Sequence, residues 1–183
     1  MLLAEMKKFP PVKVKLKNGI FVCIRFLLSS DGKALADFYR NVPAEDFRFY
    51  CPYPLTEEQA LKNAAEAFSP TKVVLVLEKE QNQIGGYCWY RWQEGCQHST
   101  FGICISRPLQ GIGAAKALMT RLLEIAREAG PPIMSLTVQL ANVRAVNLYQ
   151  KMGFVIVRKQ MREEKKEFNL PPEPEYYMEK QVR

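Results

Sequence analysis

The stretch Gln110-Gly-Ile-Gly-Ala-Ala115 stands between the apolar run Phe101-Gly-Ile-Cys-Ile105 and a segment, 116–129, whose apolar residues recur at helical spacing. A strand that turns through glycines straight into a helix constrains the chain to a strand–turn–helix unit. It also builds an anion site, because main-chain N–H groups at a helix N-terminus and the helix dipole both favour negative charge. The unit therefore points to a phosphorylated ligand. No Gly-Lys-Ser/Thr follows the glycines, so this is not a P-loop. No second strand carries an acidic residue about 20 residues on, so the dinucleotide fingerprint is incomplete. A pyrophosphate held without a Mg²⁺-binding hydroxyl or a ribose carboxylate calls for another kind of cofactor, and no metal site is expected.

A chain of 183 residues is read as one domain, 1–183, with 1–11 a flexible N-terminal segment. An apolar fraction of 48% suits a chain that buries a real core. No apolar run approaches the roughly 18 residues of a membrane span, and the N-terminus lacks the pattern of a signal peptide. The five cysteines (Cys23, Cys51, Cys88, Cys96, Cys104) are odd in number and lack CxxC spacing, which suggests free thiols and a cytoplasmic location. A net charge of +7 suits an anionic ligand. The basic residues are dispersed, and the run 158–166 is broken by Glu163 and Glu164, which argues against nucleic acid as the partner.

Val12-Lys-Val-Lys-Leu, then Asn18-Gly19, then Ile20-Phe-Val-Cys-Ile-Arg-Phe-Leu27 predicts a hairpin. Ser29, Ser30 and Asp31 offer N-caps for a helix to about Tyr39. Residues 43–54 form an aromatic loop, and the capping box Thr56-Glu-Glu-Gln59 opens a helix ending near Phe68. Strands are expected at 72–79, 84–92 and 98–105. Gly130-Pro-Pro132 stops the helix after the glycine turn. A strand at 133–138 and a helix from Asn142 to Gly153 follow. Strands at 154–159 and 176–180 close the chain, with a long loop over 160–175. Helices alternate with strands only in the second half, so the sheet should be mixed.

The segment Asn142-Val-Arg-Ala-Val-Asn-Leu-Tyr-Gln-Lys-Met-Gly-Phe154 adds a second motif. With it the chain resembles the GNAT superfamily of acyl-CoA-dependent N-acetyltransferases. The family's cofactor motif, Gln/Arg-x-x-Gly-x-Gly/Ala, is matched by Gln110, Gly113 and Ala115. Its downstream motif, Asn-x-x-Ala-x-x-Leu-Tyr-x-x-x-Gly-Phe, is matched by Asn142, Ala145, Leu148, Tyr149, Gly153 and Phe154. The resemblance runs from about residue 22 to residue 154. It implies an α/β (mixed α+β) acyl-CoA N-acyltransferase fold, with a mixed central sheet of about seven strands flanked by about four helices.

The resemblance also implies roles. Main-chain groups of Ile103, Cys104 and Ile105 would pair with the pantetheine arm of acetyl-CoA by strand addition. The amides of Gln110, Gly111, Ile112, Gly113, Ala114 and Ala115 would hold the pyrophosphate. Asn142 would touch the cofactor arm as well as cap its helix, and Tyr149 falls where the family places a general acid. The acceptor site would lie at the aromatic loop, with Phe49 and Tyr50 lining it beside Phe47 and Tyr53. Glu45 or Asp46 would attract a cation there. Thr137 stands where enzymes acting on a ribosomal-protein N-terminus carry a glutamate base, which leaves Glu45, Asp46, Glu94, His98 or a water chain for that task. Donation of a proton from a tyrosine to an ordinary thiolate is uphill by about 2 kcal/mol, and deprotonating a lysine-like amine at pH 7 costs about 4.6 kcal/mol. The acceptor is read as the primary amine of a small molecule, with a protein or peptide amine (N-terminal or lysine) as the alternative and a non-catalytic acetyl-CoA-binding module as the third reading. The C-terminal hairpin leaves room for a homodimer.

Overall fold

Alternation and turn chemistry produce the first pair of strands. After one helical turn, α1 (Leu3–Met6), β1 (Val12–Lys15) pairs antiparallel with β2 (Phe21–Phe26), and Gly19 makes the turn at φ +87°. The computed structural model describes residues 3–50 and 52–183, so Cys51 lies outside the described residues. Just before β1, Arg121 Nη2 donates to the Pro10 carbonyl at 2.7 Å and its guanidinium lies 5.4 Å from the Phe9 ring centroid.

Two helices cover one face of the sheet, α2 (Gly32–Arg40) and α3 (Glu57–Ala65). Thr56 caps α3 as expected, its Oγ1 accepting from the Gln59 N–H at 3.1 Å, although the helix ends before Phe68. Asp31 does not cap α2. Its carboxylate accepts from Arg25 at 2.6 and 3.0 Å and from the Leu28 N–H, while Arg25 also donates to Glu78 at 2.8 Å. This largely buried trio ties the start of α2 to the sheet, and each of its charges is paired, as burial requires.

The meander follows where periodicity placed it: β3 (Lys72–Glu78), β4 (Ile84–Trp92) and β5 (His98–Ile105). Then come α4 (Ala114–Ala126), β6 (Ile133–Gln139), α5 (Val143–Lys151), β7 (Val155–Arg162) and β8 (Glu173–Gln181). The sheet has eight strands, one more than expected, in the order β1-β2-β3-β4-β5-β6-β8-β7. Among the described residues only β5 and β6 run parallel, so the sheet is mixed as the alternation predicted. The closing hairpin corrects the long loop over 160–175. Pairs such as Gln160↔Glu175 and Arg162↔Glu173 carry the strands into it, leaving 163–172 as the connection. Strand pairing uses main-chain groups, so polar side chains on this outer hairpin concealed it from a reading of apolar periodicity.

β3 is buried on both faces and reads as one apolar run, as a central strand should. Val73, Leu75 and Leu77 face the layer of α4, where Leu118, Leu122 and Ile125 complete a core with Cys88 and Tyr90. Val74 and Val76 face the α2–α3 layer with Leu35, Tyr39, Tyr87 and Trp89. No helix among the described residues is long and apolar enough to cross a membrane.

Candidate active site

β5 and β6 pair over three residues only, from His98↔Ile133 to Thr100↔Ser135, and then diverge. Each is held along its length by its other neighbour: β5 by β4 as far as Ile105, and β6 by β8 as far as Gln139. The gap is therefore propped open by strand pairing on both sides. The Ser106 N–H donates to the Gly85 carbonyl at 3.0 Å. By antiparallel alternation the even residues of β5 then bond β4, and Phe101, Ile103 and Ile105 turn their main-chain groups into the gap. Cys104 does not: its main-chain groups face β4 and its side chain is buried in the α2–α3 layer. The Ile105 carbonyl already accepts from Gln110 Nε2 at 3.0 Å. What the strand offers a ligand is thus the edge at Ile103 and the N–H of Ile105.

The glycine turn adjoins that edge. Gly111 and Gly113 have φ of +80° and +99°, a conformation that costs a residue with a Cβ about 1–2 kcal/mol. Gly113 is the N-cap of α4, and the first bond of the helix is Ala117 N–H to the Gly113 carbonyl. None of the main-chain N–H groups of residues 111–116 has a hydrogen-bond acceptor among the described residues. They include those of Ile112, Ala114 and Ala115. Three cations border them. Lys116 sits in the first turn, Arg144 Nη2 lies 3.4 Å from where a Gly111 Cβ would stand, and the Lys17 N–H donates to the Ile112 carbonyl at 3.1 Å. Sequence reading missed Lys17 and Arg144, because they reach the turn from the β1–β2 connection and from α5, far along the chain.

Asn142 caps α5, its Oδ1 accepting from the Ala145 N–H at 3.3 Å, which leaves its Nδ2 donors without a protein partner among the described residues. Tyr149 is buried in the α4 layer, its ring 6.1 Å from Phe101 and 6.0 Å from Phe154. Its ring is thus core, yet its hydroxyl has no hydrogen-bond partner among the described residues. Burial, and secondarily the neighbouring Cys104 thiol, push the phenol pKa above its ordinary value of 10. The same desolvation, with Asp46 nearby, pushes the Cys104 thiol up to about 12, so Cys104 is a packed thiol rather than a nucleophile.

The aromatic loop closes the opposite wall. Tyr50 is buried, and its hydroxyl accepts from Trp89 Nε1 at 3.0 Å. The Tyr53 hydroxyl lies between those of Tyr39 and Tyr87 at 3.2 and 3.0 Å, and Phe47 packs on Phe168 at 5.9 Å. Phe49 is exposed, under the Arg48 guanidinium at 5.3 Å. Glu45 and Asp46 both hold Arg107, at 3.3 and 3.0 Å, so their charge is spent on a cation of the protein itself. Arg107, which sequence reading passed over, lies between β5 and the glycine turn and so ties the two walls together. Arg48 bonds Glu173 at 2.6 Å, and Arg162 donates to the Arg48 carbonyl at 2.8 Å, which anchors the loop to the closing hairpin.

The candidate bases lie elsewhere. His98 is exposed at the paired end of β5, 3.3 Å from Glu179. Glu94 is exposed in the turn before β5, and Thr137 faces solvent on β6 opposite Tyr177. The geometry therefore brings together a strand edge, a bare glycine turn and a phenol with an unspent proton; among the described residues the carboxylates nearest them, Glu45 and Asp46, are paired with Arg107.

Comparison with known proteins gives the family of the chain. The family model described as "Acetyltransferase (GNAT) family" matches residues 36–154. The L-amino acid N-acyltransferase MnaT of Escherichia coli (strain K12) is 23% identical over 137 residues, covering 73% of this chain and 79% of that protein. Among solved structures, yncA of Salmonella typhimurium with its cofactor acetyl-CoA superposes with a TM-score of 0.72 at 20% identity, covering 88% of this chain and 94% of that one. Spermidine N-acetyltransferase from Vibrio cholerae, in complex with CoA and spermine, gives 0.71 at 21% identity over 88% and 95%. The chain belongs to the acetyltransferase (GNAT) family and is an acyltransferase.

Proposed function

We propose that the protein moves acetyl from acetyl-CoA to the primary amine of a small molecule by direct attack on the thioester. The bare main-chain N–H groups of residues 111–116, set beside the free edge of β5, carry this reading. They suit a pyrophosphate next to an extended amide-bearing arm, the chemistry that acetyl-CoA brings. In this reading the turn from Gly111 to Ala115 holds the pyrophosphate, with Lys17, Lys116 and Arg144 supplying counter-charge; the Gln110 N–H, expected to join them, already donates to the Arg107 carbonyl at 3.1 Å. Ile103 and Ile105 offer main-chain groups to the arm, and Asn142 Nδ2 adds a donor. Cys104 contributes packing rather than main-chain bonds.

Tyr149 is the proposed general acid, giving its proton to the departing thiolate. Its raised pKa makes it a weaker acid than a free phenol. A thiolate departing into the same desolvated gap becomes more basic by the same physics, so the transfer stays within reach. The hydroxyl has no protein partner among the described residues and is not fully enclosed, so its proton is free for a ligand in the gap, which favours catalysis over mere cofactor binding. Water accepts the amine's proton, because no described carboxylate stands free beside the gap. The anchored aromatic loop supports a small acceptor over a protein segment: bonds to Arg107 and to the closing hairpin hold it against the wall, where a peptide would need an open groove. The test is thiol release from acetyl-CoA across a panel of amines and peptides, with calorimetry of acetyl-CoA alone. Tight cofactor binding with release on small amines is expected; no binding at millimolar acetyl-CoA overturns the reading.

A further inference from the structure

On the α2–α3 side of the sheet, a cavity of about 300 Å³ opens between α3, β3 and β4. Three cations line it, Lys62, Lys72 and Arg91, against one carboxylate, Glu66. Lys72 is under-compensated: its side chain is 13% exposed, and the Glu66 carboxylate 3.5 Å away is itself half exposed. Burial accordingly lowers the Lys72 pKa from its ordinary value. The Arg91 guanidinium lies over the Trp89 ring, 4.7 Å from its centroid, with no carboxylate on its N–H fork among the described residues. Lys62 likewise has no ion-pair partner among them.

A buried chain of donors points the same way. Gln59 Nε2 donates to Asn63 Oδ1 at 3.3 Å, and Asn63 Nδ2 donates to the Tyr39 hydroxyl at 2.9 Å. The hydroxyls of Tyr39, Tyr53 and Tyr87 then follow at 3.2 and 3.0 Å. Tyr53 and Tyr87 line the cavity and Tyr39 does not; Tyr87 is fully buried, so partly buried Tyr53 is the phenol that the cavity exposes. Three cations converging on one concavity beside Tyr53 make a receptor for a carboxylate or phosphate group.

We propose that this cavity seats an anionic group of the acceptor, so that the enzyme's preferred amines carry a carboxylate or phosphate; this rests on the acetyl-transfer reading above. Trp89 links the two places. Its indole walls the cavity and lies across Gly102 of β5, where a Cβ would stand 2.5 Å from the ring, next to the open edge at Ile103. An anion held beyond the indole leaves the amine of a short zwitterion on the side of the diverging strands.

The experiment compares thiol release with α-amino acids, with ω-amino acids from glycine to 6-aminohexanoate, and with O-phosphoethanolamine, each against its amide or neutral amine. The best acid should exceed its neutral counterpart in kcat/KM by about tenfold, the worth of one charged hydrogen bond. The preferred chain length reads the distance from cavity to thioester, and the phosphate arm separates the two anions. The acid-to-neutral ratio should fall toward one in Arg91→Gln, a change at an exposed residue, and in Lys72→Met. A ratio near one in the wild type, or one unmoved in Arg91→Gln, overturns the proposal while leaving acetyl transfer standing. Thiol release with no amine at all overturns acetyl transfer, and this assignment with it.

Discussion

Residues 103–115 and, from the aromatic loop, residues 43–50 with 52–54 flank the same gap and are built from different material. On the first wall the groups that face the gap are main-chain: the edge of β5 at Ile103 and the bare N–H groups of residues 111–116. On the second they are side chains, each positioned by a distant residue. Tyr50 is set by Trp89, Tyr53 by Tyr39 and Tyr87, Asp46 by Arg107, and Arg48 by Glu173. A wall of backbone recognises what every donor of one class shares. A wall of side chains can change its ligand by changing residues, which is how one fold serves many acceptors.

Removing the phenol of Tyr149 should have the largest effect on this division. Tyr149→Phe is expected to lower kcat about a hundredfold or more, the usual worth of a general acid, with the acetyl-CoA Kd within about twofold. Because the hydroxyl has no protein partner among the described residues, the melting temperature should hold. A fall in melting temperature with unchanged kcat would return Tyr149 to the core. Next comes Gly113→Val. At φ +99° a β-branched residue strains the turn, and its side chain crowds the bare N–H groups, so the acetyl-CoA Kd should rise about tenfold by calorimetry. Equal affinity would move the anion site away from this turn.

The tie between the walls should matter less. Arg107→Met removes the partner of Glu45 and Asp46, and the acceptor KM is expected to rise about threefold with little change in acetyl-CoA Kd, since exposed pairs contribute little. A shift in the cofactor Kd alone would assign Arg107 to the donor wall. The smallest effect concerns the loop anchor. Hydrogen bonding to Arg48 holds the Glu173 carboxyl below its ordinary 4.5. A depressed carboxylate pKa contributes stability above the unfolded value, and that stability is lost as pH falls through the folded one. Glu173→Gln should therefore melt about 2 °C lower than the wild type near neutrality, with the gap closing below about pH 4. A gap that stays constant with pH would show that the anchor is not ionic.

The order of helices and strands was legible because each rests on neighbours in sequence. Asn18-Gly19 makes its turn, Thr56 caps its helix, and Gly153 takes the left-handed conformation after α5. Asp31 misled as a cap because Arg25, paired with it across the α2 boundary, competes for the same carboxylate. The reach of β7 and β8 past residue 160 was hidden because their pairing needs no apolar side chains. Within the candidate site, the glycines and Tyr149 stood out as motif residues. Arg107, Arg144, Lys72 and Arg91 looked like ordinary surface charge, since nothing local marks a cation that converges with others from separate elements.

Short-range order thus sufficed for the strand–turn–helix unit, the mixed sheet and the family. Turn conformation, capping and apolar period are properties of a few consecutive residues. The splay between β5 and β6, the spending of Glu45 and Asp46 on Arg107, and the cation-lined cavity behind Trp89 came from packing. Each depends on side chains brought together from distant points of the chain, where distance in space, rather than in sequence, sets which charges and hydrogen-bond donors meet.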